Sequence, residues 1–64
     1  MLNNFDLVSL AVTLPEHGLL PGALGTIVEV VTEPRLAYAI EFGGQDGLRA
    51  PQVTLGEGQV LKHA

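Results

Sequence analysis

Leu20-Pro21-Gly22-Ala23-Leu24-Gly25-Thr26-Ile27-Val28 sets two glycines three apart, directly before a run of β-branched residues. A proline fixes its own φ near −65° and so suits the first inner position of a tight turn. The glycine after it can take φ > 0, as a type II turn requires. Gly25 then permits a bulge, or the close approach of another backbone, where the strand begins. A phosphate-cradling loop would need a lysine and a following helix, and this stretch is followed by neither. It reads as a corner that delivers the chain into a strand.

The same rhythm holds on either side. Turn residues recur at Pro15-Glu16-His17-Gly18, Glu33-Pro34, Gly43-Gly44-Gln45-Asp46-Gly47, Pro51 and Gly56-Glu57-Gly58. The runs between them are too short for helices and rich in Val, Ile and Leu, which predicts an all-β fold of five short strands. In the first run, Asp6 to Leu14, Val8, Leu10, Val12 and Leu14 share one face, while Leu7, Ser9, Ala11 and Thr13 share the other. The second run, Thr26 to Thr32, puts Val28 and Val30 on one face and Ile27, Glu29 and Val31 on the other. In the third, Tyr38, Ile40 and Phe42 oppose Ala37, Ala39 and Glu41. A fourth run, Leu48 to Leu55, contains Pro51, which cannot donate to a ladder and so marks an edge or a bulge. Gln59-Val60-Leu61 is a short closing strand.

With 64 residues the chain forms one domain, 1–64, with no linker and no repeat. Charged residues are 16% of the chain, below the roughly 25% of an ordinary domain, and hydrophobic residues are 47%. That balance excludes a disordered, highly charged segment. The absence of cysteine excludes a disulfide scaffold, a zinc ribbon and a redox thiol motif. Three basic residues against seven acidic ones leave a net charge of −4, the wrong sign for a nucleic-acid module. The N-terminal stretch has neither the basic region nor the apolar core of a signal peptide. No apolar run approaches the roughly 20 residues that span a bilayer. These features together predict a cytoplasmic location and no membrane contact.

Candidate chemistry is sparse. The only serine, Ser9, lies in a strand, and the two histidines, His17 and His63, lie in a turn and near the C-terminus. No motif joins them as nucleophile and base. His17 beside Glu16 has no third or fourth ligand suggested around it. Asp6, Glu29 and Glu41 would form an acidic cluster only if their strands converge, and otherwise keep the exterior wet. Arg35, Arg49 and Lys62 are too few for a phosphate-binding patch. Tyr38 is expected inside, so it offers no stacking platform. The sequence therefore implies no catalytic residue, no cofactor, no metal and no small-molecule substrate.

The turn and its valine-rich strand resemble the KOW-type unit of the small SH3-like barrels. More closely, the chain resembles a family of short bacterial proteins known as a domain of unknown function. The matching pieces are Asp6, Val8 and Leu10; Leu14-Pro15-Glu16-His17-Gly18-Leu19; Gly22 to Val30; and Tyr38-Ala39-Ile40-Glu41-Phe42. The resemblance implies a five-stranded SH3-like barrel and carries over no activity. By analogy, a KOW-like barrel would suggest a nucleic-acid or ribosome-associated accessory, against which the charge argues. The acidic balance also suits an antitoxin-like or immunity-like partner of a basic toxin.

A chain this short buries only about 60% of its unfolded surface, so a second subunit is a natural source of extra stability. Leu7, Ala11, Ile27, Val31, Ala37 and Ala39 all fall on the faces opposite the expected core. Contiguous apolar surface of that kind marks protein contact. The expectation is a small interaction module that self-associates or holds a protein partner, with these six residues as the interface.

Overall fold

The computed structural model describes residues 2–43 and 52–63. Five strands form one antiparallel sheet: β1 (Leu7–Leu10), β2 (Leu24–Val31), β3 (Ala37–Phe42), β4 (Gln52–Leu55) and β5 (Val60–Lys62). Their order across the sheet is β4-β3-β2-β1-β5. Single 3-10 turns, Pro15–His17 and Glu57–Gln59, lie in the β1–β2 and β4–β5 connections. The predicted Gly44 to Gly47 turn and the Leu48–Pro51 part of the fourth run lie outside the described residues, as does Arg49.

The corner before β2 forms as its residues require. Gly22 follows Pro21 with φ of 95°, and Ala23 N–H donates to the Leu20 carbonyl at 3.1 Å, closing the turn. Gly25 then passes so close to β3 that a Cβ on it would lie 2.6 Å from Ile40 Cγ2. Here the glycine is required by packing, since its own face turns toward the core.

Val8, Leu10, Ile27, Tyr38, Ile40, Phe42, Leu55 and Val60 form one buried cluster, all from a single face of the sheet. Among the described residues no second sheet covers that face; Leu2, Val12, Leu14, Leu19 and Leu36 from the connections pack against it, and the sheet covers the rest itself. In a flat sheet β4 and β5 would lie roughly 19 Å apart, four strand spacings of about 4.8 Å. Yet Leu55 and Val60, buried in the same cluster, are linked only by Gly56 and the Glu57–Gln59 turn. A 3-10 turn rises about 2 Å per residue, too little to bridge a flat sheet. The sheet therefore rolls until its ends approach. Among the described residues no ladder joins β4 to β5, so the pairing stays open rather than closing a barrel.

The β2–β3 ladder corrects the second strand. Ile27 pairs with Ile40 and Glu29 with Ala39, which leaves Val28 as an extra residue at a register shift. That bulge reverses the inward parity of the strand. Ile27 before it and Val30 after it both face the core, while Val28 is turned out at 36% exposure. Ile27, expected on the outer face, is completely buried. The third strand alternates as its sequence implies, with Tyr38, Ile40 and Phe42 buried.

Candidate interaction face

The outer face of the sheet is read most easily from Ser9. It pairs with Leu24 of β2 on one side and Leu61 of β5 on the other. Leu7 lies two residues back along β1, on the same face, opposite Thr26. Paired residues on neighbouring strands project from one face and lie within about 5.5 Å of each other. Leu7, Leu24 and Leu61 therefore surround Ser9, and they are 42%, 46% and 62% exposed. Ala11, also exposed, continues the patch where its N–H donates to the Gln59 carbonyl at 2.8 Å. None of these side chains is charged.

The six expected interface residues divide by position. Leu7 and Ala11 lie in this patch. Val31 and Ala37 are half-buried and pair with each other at the far end of the β2–β3 hairpin, away from it. Ile27 is in the core because the bulge turns it there. Ala39 is on the outer face but buried, because a single methyl sits between Glu29 and Thr54 on the flanking strands. Neither Ile27 nor Ala39 can contact a partner without local rearrangement. Leu24 and Leu61, absent from the expected set, complete the patch. Leu24 reads as part of the glycine-spaced corner, and its pairing with Ser9 comes only from the β1–β2 register.

Among the described residues, the chemical groups singled out in the sequence lie apart from one another. The β1–β5 register places His63 opposite Leu7, diagonal to Ser9, since His63 N–H donates to the Leu7 carbonyl at 2.9 Å. No hydrogen bond joins the Ser9 and His63 side chains. His17 is exposed in the 3-10 turn beside Gly18. Asp6 is occupied locally, its Oδ2 accepting from Asn3 N–H at 2.9 Å. Glu29 and Glu41 are exposed, and the three carboxylates do not meet. Among the described residues no group of three histidines, cysteines or carboxylates could hold a metal ion. Tyr38 is buried, its hydroxyl accepting a long hydrogen bond from Leu2 N–H at 3.4 Å. Among the described residues no helix is long and apolar enough to cross a membrane.

A shallow groove borders the patch along β5. It is lined by Leu2, Glu57, Val60, Leu61 and Lys62, and so carries both an acid and a base. The Glu57 turn is held in place by Gln59, whose Oε1 accepts from Gly56 N–H at 2.9 Å.

Residues 4–62 match the family described as a domain of unknown function, DUF4926. The chain belongs to that family. No match is found among curated proteins or solved structures. The match spans every described strand, so the outer patch and the groove both lie within the DUF4926 domain.

Proposed function

We propose that this DUF4926 domain is an interaction module that works by protein–protein contact and associates with itself, without catalysis and without a cofactor. The observation that carries the reading is the uncharged triangle of Leu7, Leu24 and Leu61 around Ser9. Isolated exposed apolar residues are ordinary on any protein. A contiguous group held on one rigid sheet face, in a chain with few other surfaces to spare, favours a partner. The rolled sheet supports the SH3-like reading of the fold, an open roll whose ends are drawn together by the Glu57–Gln59 turn.

Molar mass by light scattering after size exclusion, across a hundredfold concentration range, tests the reading. The expected result is a rise above 6.7 kDa toward a fixed multiple. Leu61→Asp, at an exposed site, should leave circular dichroism unchanged and return the mass to that of one chain. A wild-type protein that stays monomeric throughout ends the self-association reading.

A further inference from the structure

The outer edge of β5 has a definite polarity of hydrogen bonding. Ala11 N–H donates to the Gln59 carbonyl and His63 N–H to the Leu7 carbonyl, at 2.8 and 2.9 Å. Antiparallel ladders alternate, so residues whose polar groups face a neighbour are every second one. In this register the odd-numbered residues 59, 61 and 63 face β1. Val60 and Lys62 turn their backbone groups the other way, toward the groove. No backbone hydrogen bond outside the ladder uses the Lys62 N–H, the Lys62 carbonyl or the Val60 carbonyl among the described residues.

We infer that β5 pairs antiparallel with β5 of a second copy, about a two-fold axis at Leu61, so that two sheets become one continuous sheet. The inference rests on the self-association reading and locates the contact at the sheet edge, where Leu61 is the member of the leucine triangle that lies on the axis. Three features select a second copy over another extended segment. First, an antiparallel pair of two β5 strands centred on Leu61 sets Lys62 of each opposite Val60 of the other. That is the register in which the outward-facing groups meet, and Lys62 N–H donates to the Val60 carbonyl twice over. Second, Leu61 meets its own counterpart as a non-hydrogen-bonded pair, where side chains are closest, with Cα atoms about 4.5 Å apart. The exposed leucine patches of the two copies then run together across the axis. Third, Lys62 of each copy is brought toward the Glu57 turn of the other. Glu57, in the turn before β5, and Lys62, at its last residue, are thus complementary to themselves under a two-fold operation, as an isologous interface requires.

The geometry makes a charge-exchange experiment decisive. Glu57→Lys and Lys62→Glu are both at exposed positions, so each variant should fold like the wild type by circular dichroism. In a homodimer of either one, both cross-axis pairs become like-charged. Two surface pairs changing from attraction to repulsion should weaken association about tenfold or more. Mixed in equal amounts, the two variants form a heterodimer in which both pairs are attractive again. The expected result is that each variant alone runs as a monomer at a concentration where wild type is dimeric, and that the mixture recovers the dimer mass. A mixture that stays monomeric overturns the inference. So does either variant associating as wild type does, in which case Lys62 merely guards an edge strand. If Leu24→Asp removes association while the charge variants do not, self-association through the leucine face stands and the β5 pairing falls. A monomeric wild type removes both.

Discussion

Gly25 shows how little room a single position leaves. Its missing side chain is the space occupied by Ile40 Cγ2, with Phe42 Cδ1 at 3.0 Å and the Glu41 carbonyl oxygen at 3.1 Å from the same point. A methyl there must displace buried side chains and meets backbone as well, so relief by rotamer change is partial. Gly25→Ala should cost about 1–3 kcal/mol, the usual range for overpacking a core, measured by urea unfolding. An unchanged midpoint would mean the strands can separate at no cost. Phe5 presents the opposite situation. Its backbone has φ of 70° and its ring is 78% exposed. A bulky residue in the left-handed region costs roughly 1–2 kcal/mol. The surrounding turn enforces it, since Asp6 N–H donates to the Asn3 carbonyl and Phe5 N–H to the Ile27 carbonyl. Glycine takes that conformation freely but adds entropy to the unfolded chain. Phe5→Gly should therefore hold stability level or raise it by up to about 1 kcal/mol, and a marked loss in the same urea experiment would contradict the strain.

Among the strands, β2 separates what its sequence discloses from what only pairing decides. The third strand could be read directly, because Tyr38, Ile40 and Phe42 alternate with smaller or charged residues. Its observed limits, Ala37–Phe42, are those of the sequence run. In β2 the residues Ile27, Val28, Val30 and Val31 are apolar on both sides, so strict alternation has two self-consistent solutions. The bulge at Val28 selects neither throughout: it takes one phase for Ile27 and the other for Val30. A one-residue slip moves every side chain to the opposite face, so this single irregularity misplaced Ile27 in the expected interface. The same limit applied to the outer patch. Leu7 and Ala11 followed from local alternation, whereas Leu24 and Leu61 joined them only through registers between distant strands. Substitution tests the bulge directly. Val28→Lys points into solvent and should change stability by no more than about 0.5 kcal/mol. Ile27→Lys would bury an unpaired charge and should prevent folding at room temperature. If the adjacent pair responded in the reverse order, judged by circular dichroism and thermal melting, the strand would follow the unbroken alternation instead.

At the scale of the molecule, the roll sets a limit on what this chain can bury by itself. One sheet face supplies the core, and the other is left to solvent wherever no second layer exists. The outer face divides accordingly: Glu29 and Glu41 keep one part polar, while Leu7, Leu24 and Leu61 leave the β2–β1–β5 part uncharged. A partner on that part would bind the folded chain and not the unfolded one, so association and stability are linked by mass action. For a two-chain assembly, a hundredfold rise in concentration contributes about 1.4 kcal/mol per chain, half of RT ln 100. In a domain of this size each kcal/mol moves the melting temperature by roughly 4–8 °C. Wild-type protein should thus melt roughly 5–10 °C higher after such a rise, with calorimetry as the measurement. Leu61→Asp should melt at the same temperature at both concentrations, because it keeps the core and loses the contact. A wild-type melting point independent of concentration would show that the rolled sheet is sufficient alone, and that its leucine face contributes nothing to stability through a second copy.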